Sequence, residues 1–396
     1  MRNKNRYALD LGSSKFCIAF LHAKGKKSEI EIYTSPSKGM KNGILTDFSI
    51  AKDQLSILIE KAEHKFNTDI DQVTVGISGS KTTSQLAESY LQLENGQIDK
   101  KIILSLYKQA IEKTSSCEKI TLHACPLGFQ INNDTWYENP LGMRAKTIKA
   151  RYFILQADGN YAKEIIRLCN KSGLKVEHVY AASFASSASF LSHTLKKMGV
   201  VLVDIGGAST TGIIYIQEKP VESFSIPIGS DSLTQDLSIG FSISQEEAEK
   251  IKRLWGAELD NQSEILEVLD IHEKKKIITK EKNLQIILPR IQEISTFIDK
   301  KISKYKNQIG AGLLLTGGGA EVTGIEKICN HVLKIPCNLL KPLALENLKI
   351  AQDPYPHAFS GVVGMLLLEE KDKKEMEDSS PKHSLTSWFF SLFLRQ

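Results

Sequence analysis

Two short segments, far apart in the chain, carry residues suited to the same chemistry. One reads LDLGSSK at residues 9–15 and the other VDIGGAST at residues 203–210, each with an aspartate just before a turn of glycine and hydroxyl residues. Turn glycines let backbone N–H groups approach an anion closely, and the hydroxyls add hydrogen-bond donors. A carboxylate beside a phosphate requires a divalent cation between them, usually Mg²⁺ with its waters. The pair therefore predicts a cleft that binds a nucleotide and a metal.

The apolar runs on both sides of each turn predict the elements that carry it. Residues 16–21 follow the first turn and residues 213–216 follow the second, so each turn should join two strands of a hairpin. A repeated hairpin with a carboxylate at the same position indicates two similar halves that face each other across a cleft.

A third glycine cluster, LLLTGGGA at residues 313–320, also follows an apolar strand. It is neither a Walker A loop nor a dinucleotide-binding fingerprint, because the spacing and the Lys-Ser/Thr ending are missing. Taken in this order, the three clusters are similar to those of the actin-like ATPase superfamily. In that superfamily two phosphate loops and an adenosine loop line one cleft.

The composition of the chain limits the classes of protein to which it could belong. The chain has 396 residues, 41% hydrophobic and 24% charged, with a net charge of +5, which is typical of a soluble protein of two or more domains. No basic stripe with interleaved aromatic residues occurs, so nucleic acid is not expected as a partner. The six cysteines are scattered without metal-ligand spacing, which favours a reducing cytoplasm. We expect no signal peptide and no transmembrane helix.

The pattern along the chain predicts an α/β protein with a two-lobed actin-like ATPase fold and duplicated core domains. The predicted parts are a first lobe at 1–82 and 159–197, an inserted α+β subdomain at 83–158, a second lobe at 198–243 and 306–370, a helical outgrowth of that lobe at 244–305, a flexible linker at 371–383 and a C-terminal amphipathic helix at 384–396. Segments 181–190 and 359–368 are rich in small residues, which indicates two helices that cross closely as a hinge.

The last residues predict a short amphipathic helix. Its apolar stripe consists of Leu385, Trp388, Phe389, Leu392 and Phe393, at helical spacing. A helix this short is marginal alone in water, so the stripe must be buried. A membrane surface suits the aromatic residues and the charged linker best; a groove in a partner and the protein's own core are the alternatives.

At this level of detail the chain resembles the FtsA family of bacterial division proteins. The motifs that carry the resemblance are KGMKNG at 38–43, VGISG at 75–79, LHACP at 122–126, NPLGM at 139–143, IPIGSD at 226–231 and AEKIK at 248–252. The two motifs inside the insert separate this family from actin, from chaperone ATPases and from sugar kinases.

The resemblance implies ATP and Mg²⁺ as cofactors and assigns the site residue by residue. Asp10 and Asp204 would orient the metal and its waters and would be the catalytic carboxylates. The nucleotide-binding residues implied are Gly12, Ser13, Ser14, Lys15, Gly206, Gly207, Ser209, Thr210, Glu249, Lys252, Gly317, Gly318 and Gly319. Ala208 and Thr211 depart from the usual glycine and aspartate of the second loop, and Ser230 replaces a usual glycine. We therefore expect ATP binding with at most slow ATPase activity.

The resemblance further implies a protein that polymerises at the division site, peripherally bound to the cytoplasmic face of the inner membrane. Its partners would be itself in filaments, the C-terminal peptide of the tubulin-like division protein FtsZ, later division membrane proteins and the membrane surface through the C-terminal helix. Two alternatives remain open at this stage. One is a pilus-assembly actin-like scaffold, and the other is a phosphotransferase of the same superfamily acting on a sugar or an acid.

Overall fold

The computed structural model describes residues 5–24, 27–77, 81–258, 264–340, 348–350 and 357–377. The strands are β1 (Arg6–Leu11), β2 (Lys15–Lys24), β3 (Lys27–Pro36), β4 (Met40–Lys41), β5 (Ile44–Leu45), β6 (Gln72–Ile77), β7 (Thr82–Gln97), β8 (Lys119–Ile131), β9 (Trp136–Tyr137), β10 (Arg144–Asp158), β11 (Lys175–Ala181), β12 (Val200–Ile205), β13 (Thr210–Ile216), β14 (Lys219–Ile226), β15 (Ile265–Leu269), β16 (Lys275–Thr279), β17 (Leu313–Thr316), β18 (Cys337–Leu339) and β19 (Leu348–Ile350). The helices are α1 (Phe48–Phe66), α2 (Lys100–Thr114), α3 (Gly159–Lys171), α4 (Ala182–Phe190), α5 (His193–Met198), α6 (Ser230–Phe241), α7 (Gln245–Trp255), α8 (Lys280–Ile302), α9 (Ile325–Leu333) and α10 (Ser360–Glu377).

The two main sheets have the same topology. The first runs β11-β6-β1-β2-β3, with β19 added beside β3, and the second runs β18-β17-β12-β13-β14. In each, three antiparallel strands come first in the chain and two parallel strands follow after helices. The duplicated halves predicted from the repeated turn are therefore confirmed.

A shared apolar core joins the halves. Along β1, Leu9 faces a core formed with α1 and α3, while Ala8 faces a second core that contains α4 and α10. This second core also takes Leu202 and Ile213 from the other sheet. Strands covered on both faces are nearly continuous apolar runs, which explains the composition of β1 and β12.

Helices α4 and α10 cross closely within this shared core. A Cβ added to Gly364 of α10 would lie 2.7 Å from the backbone of Ala185 in α4, whereas one added to Gly361 would meet the Cβ of Ala182 at 3.7 Å. The small residues that suggested a paired hinge thus sit at a real helix crossing.

The segment predicted as an insert has a sheet of its own, in the order β7-β10-β8-β9. Helix α2 packs against it through Ile103 and Leu106, which share a core with Phe129 and Tyr152. At its base, the hydroxyl of Ser84 donates to the carbonyl of Ser223 in the second lobe at 3.0 Å.

The segment 244–305 contains helices α7 and α8 and, in addition, two strands that were not predicted. It includes the hairpin β15–β16, whose turn is stabilised by the Asp270 carboxylate accepting from the N–H groups of His272 and Lys274 at 2.8 and 2.9 Å. In addition, α8 lies inside the second-lobe core through Ile291 and Ile298. Short apolar runs between charged residues fit a strand as well as a helix, so the sequence did not reveal the hairpin between the two helices.

The C-terminal end of the described chain also differs from the prediction. Helix α10 continues to Glu377, into the predicted linker, because lysine and glutamate are good helix formers even without apolar neighbours. The five residues of the predicted amphipathic stripe lie outside the described residues. Among the described helices, none is long and apolar enough to cross a membrane.

Candidate functional site

The two predicted turns have the same local geometry. The N–H of Gly12 donates to the carbonyl of Lys15 at 3.1 Å, and the N–H of Gly206 donates to the carbonyl of Ser209 at 2.9 Å. In the flanking ladders Asp10 is paired with Cys17, and Asp204 with Thr211. The repeated sequence therefore folds into a repeated hairpin with one carboxylate in each half.

The two carboxylates are electrostatically linked. Burial and, to a smaller extent, the charge of Asp10 together raise the pKa of Asp204 to about 7, against the opposing effect of Lys15. Burial also raises the pKa of Asp10, again against the effect of Lys15. Two poorly solvated carboxylates with one nearby lysine favour a bound cation, since a cation stabilises their ionised forms.

The first turn is held from both sides. The hydroxyl of Ser13 accepts a hydrogen bond from the N–H of Gly43 at 2.6 Å, in the loop between β4 and β5. The hydroxyl of Ser14 donates to Asp231 at the start of α6, with 3.4 Å between the oxygens. Across this contact lies Gly207 of the second turn, where an added Cβ would be 2.0 Å from the Ser14 oxygen. The two turns therefore touch at this point.

The third glycine turn packs against the second. Gly317 has a φ of +87°, and a Cβ there would lie 2.2 Å from Oδ1 of Asp204. A Cβ on Gly319 would lie 2.4 Å from Cγ2 of Ile205, whereas one on Gly318 would meet nothing closer than Ala358 at 3.6 Å. Glycine is thus required at two of the three positions, and the turn is brought directly beside the Asp204 carboxylate.

The ammonium group of Lys15 lies over the ring of Phe359, 4.1 Å from its centroid. Phe359 ends a short turn just before α10, and the carbonyl of His357 in that turn accepts from the N–H of Gly317 at 3.2 Å. The first and third turns are consequently both in contact with the segment that leads into α10.

Glu249 and Lys252 form a pair in the second lobe. Lys252 is only 5% exposed; it pairs with Glu249 at 2.6 Å and donates to the hydroxyl of Thr234 at 2.9 Å. Burial would raise the pKa of Glu249, but Lys252 and the hydrogen bonds from Thr234 and Arg253 outweigh it, and the pKa falls below its usual value. The Lys252 ammonium is thus held inside the lobe by Glu249 and Thr234, and its predicted part in nucleotide binding stays a prediction.

The hydroxyl residues of the second turn have different surroundings. Ser209 is partly exposed beside the turn. Thr210 is fully buried, and its hydroxyl donates to the carbonyl of Ile228 at 2.8 Å. We therefore assign Thr210 a supporting role in holding the turn, and Thr211, also buried, is opposite Ser225 in the ladder.

Sequence reasoning did not assign three residues that the structure places here, namely Gly43, Asp231 and Phe359. Gly43 and Asp231 belong to the motifs KGMKNG and IPIGSD, so the motifs gave a signal but no role. Phe359 begins the segment 359–368 that was predicted as a hinge helix, but its residue type indicated no role at the site, because an aromatic residue before an apolar helix is ordinarily a core residue.

Two duplicated lobes with paired hairpin turns and a glycine turn between them define an actin-like fold. Similar solved structures include a PilM–PilN type IV pilus biogenesis complex, with a TM-score of 0.66 at 14% identity, covering 91% of this chain and 97% of that one. MreB5 of Spiroplasma citri bound to ADP has a TM-score of 0.57 at 14% identity, covering 95% of this chain and 99% of that one. The predicted actin-like fold is confirmed.

The relatives in sequence are cell division proteins of one family. The family model "Cell division protein FtsA" matches residues 201–360. FtsA of Borreliella burgdorferi is 27% identical over 92% of this chain and 91% of its own length. FtsA of Escherichia coli K12 is 24% identical over 90% of this chain and 88% of its own length. The chain is similar to the FtsA family of cell division proteins over about nine tenths of its length, and the pilus-scaffold and phosphotransferase alternatives are not favoured.

Proposed function

We propose that this protein binds ATP with Mg²⁺ between its two lobes. The observation that carries the proposal is the meeting of two hairpin turns of similar geometry, each with its own aspartate, beside one lysine. A fixed cluster of Asp10, Asp204 and Lys15 attracts a divalent cation, and the turn N–H groups suit phosphate oxygens. Among similar structures, MreB5 of Spiroplasma citri is described as bound to ADP and to AMPPNP.

In this proposal Asp10 and Asp204 hold Mg²⁺ through its waters, and the metal supplies charge neutralisation at the phosphates. The first turn, with Ser13, Ser14 and Lys15, contacts the outer phosphates from one side. Gly206, Gly207 and Ser209 contact them from the other, and Gly317 to Gly319 line the adenosine side. Ala208 and Thr211 stand in the second turn in place of a usual glycine and aspartate, so hydrolysis would be slow at most.

We further propose that the protein is a membrane adaptor of the division machinery. Its C-terminal segment 384–396 would lie in the cytoplasmic surface of the inner membrane, and the second lobe would bind the C-terminal peptide of the tubulin-like protein FtsZ.

Burial of the five apolar side chains yields on the order of 5–10 kcal/mol before folding and association costs. One such helix binds weakly, whereas many helices on one filament bind firmly through effective concentration. A filament is therefore part of the proposal, and MamK, an actin-like neighbour with a TM-score of 0.55, forms a double helical filament.

ATP binding is tested by calorimetric titration of the full chain with ATP and Mg²⁺. Lys15→Met removes the positively charged side chain that acts on both Asp10 and Asp204. We therefore expect ATP to bind at least about tenfold more weakly. Lys250→Met serves as the matched control, because Lys250 is exposed on α7 and pairs only with Glu247 in the described structure. Equal affinities for the wild type and Lys15→Met, or no ATP binding by the wild type, would contradict the proposal.

A further inference from the structure

Three residues meet where the two turns touch: Ser14 from the first lobe, and Gly207 and Asp231 from the second. A Cβ on Gly207 would lie 2.0 Å from Oγ of Ser14 and 2.7 Å from Oδ2 of Asp231. The Ser14 hydroxyl donates to the other Asp231 oxygen at 3.4 Å. The turns are thus in van der Waals contact, with one hydrogen bond running from the first lobe to the second.

Asp231 is fixed on the second turn and not on the first. Its N–H donates to the carbonyl of Gly207 at 2.8 Å, and the N–H of Ser230 donates to the carbonyl of Gly206 at 2.9 Å. The start of α6 therefore moves with the second turn. The bond between Ser14 and Asp231 is then a link between the two lobes.

The carboxylate of Asp231 lies at a donor that the proposed phosphate site would use. It accepts from the Ser14 hydroxyl, which is the donor that the first turn offers to a phosphate. Two negative groups cannot share that donor without a large electrostatic cost. We propose that Asp231 is a latch that holds the two turns together through Ser14, and that nucleotide phosphates must displace it. This inference rests on the proposed function, and it makes Asp231 a positioning residue that regulates access to the site.

A latch lowers the observed affinity in proportion to the fraction of molecules that are open. When the binding-competent state is only partly populated, the apparent Kd is the intrinsic Kd divided by that fraction. Because Asp231 remains exposed to solvent, its hydrogen bond is a weak one. Removing it should increase both the association rate and the affinity by about threefold to tenfold.

The test is a stopped-flow measurement of association with an ATP analogue that carries a fluorescent ribose substituent, in the presence of Mg²⁺. Asp231→Ala removes charge and acceptor together, so the association rate should rise by about threefold to tenfold. Asp231→Asn keeps an acceptor oxygen and removes the charge, so a smaller rise is expected. Glu246→Gln removes one charge from an exposed position on α7 and should leave the rate unchanged. A rate for Asp231→Ala equal to or lower than that of the wild type would overturn the latch, and weaker binding by Asp231→Asn would show that the carboxylate helps hold the metal instead.

A second arm uses no nucleotide and compares backbone hydrogen exchange in a peptide that covers the first turn. Asp231→Ala should speed exchange there, because the turn loses its partner in the other lobe, while Asp231→Asn should behave like the wild type. Unchanged exchange in Asp231→Ala would overturn the latch as well. Since this arm reports the latch alone and wild-type affinity reports ATP binding alone, the failure of one proposal can be told from the failure of the other.

Discussion

The carboxylates of Asp10 and Asp204, one from each half of the duplicated fold, lie close enough for the charge of Asp10 to raise the pKa of Asp204. The hairpins that carry them are joined to their own lobes by parallel pairs, Asp10 opposite Gly76 and Asp204 opposite Thr316. The distance between the carboxylates therefore depends on the angle between the lobes. A cation that binds both would fix that angle, which is how a bound nucleotide could bias filament assembly.

The Asp204 carboxylate should reduce stability at neutral pH. Burial raises its pKa to about 7. Between roughly pH 4 and pH 7 the folded state therefore keeps a proton on Asp204, whereas the unfolded state has lost it. The free energy of unfolding falls as the pH rises through this window. For Asp204→Asn without nucleotide we expect a gain on the order of 1–3 kcal/mol at pH 8 that shrinks towards zero near pH 4.

Urea unfolding of wild type and Asp204→Asn at several pH values measures this difference. A variant that is less stable than the wild type at pH 8, or a difference that does not change with pH, would show that the carboxylate is well stabilised in the folded protein. ATP affinity should fall in the same variant, which separates stability from binding.

The helix crossing at Gly364 should tolerate no larger residue. In Gly364→Ala the new Cβ would lie 2.7 Å from the backbone of Ala185, so α4 and α10 must move apart at a cost of about 1–3 kcal/mol. Gly361→Ala on the same helix is the matched control, because its Cβ would make an ordinary contact of 3.7 Å. Thermal unfolding should give a lower Tm for the first variant and an equal or slightly higher Tm for the second. An equal decrease in Tm for both variants would mean that the change of residue type within the helix, and not the helix crossing, determines the loss of stability.

Lys252 should matter more for stability than its neighbour Lys250. Replacing Lys252 by Met leaves Glu249 partly buried without its main partner, and breaking such a pair costs about 3 kcal/mol or more. Lys250→Met alters an exposed pair with Glu247 and should leave the free energy of unfolding unchanged. If chemical denaturation gives the two variants the same stability, the buried pair is not what holds α6 and α7 together.

His123 should lower stability in mild acid. Burial lowers its pKa to about 3, and its Nε2 accepts from the N–H of Ala181 at 3.1 Å at the start of α4. The stability that the neutral ring contributes is complete above its unfolded pKa of about 6.5 and is lost progressively as the pH falls towards 3. His123→Gln should therefore flatten the dependence of stability on pH between 6.5 and 4.5, as followed by thermal unfolding. If the stability of the variant depends on pH as steeply as that of the wild type, a group other than His123 causes the acid sensitivity.

Local patterns were enough to predict the elements around the turns, because strand, glycine turn and strand are encoded within a few residues. The hairpin β15–β16 was missed, since five-residue segments that mix apolar and charged residues do not distinguish a strand from a helix. The supporting roles of Thr210 and Lys252 were missed for another reason. Their partners, Ile228 and Thr234, are eighteen residues away, and spacing alone does not show where a side chain points.

Contacts between the lobes were the least predictable. Ser14 and Asp231 are separated by 217 residues, and their meeting depends on how two complete domains pack. The motifs placed both residues near a site, yet only the packed structure shows that one donates to the other.

In the function proposed above, an ATP-binding actin-like body is held at the membrane by its C-terminal segment, and it is held more firmly as a filament. Flotation with vesicles of anionic phospholipid measures this most directly, for the full chain and for a version ending at Asp378, with and without ATP and Mg²⁺. We expect only the full chain to float, and to float more completely with ATP. Equal flotation of both versions, or flotation of neither, would contradict the account.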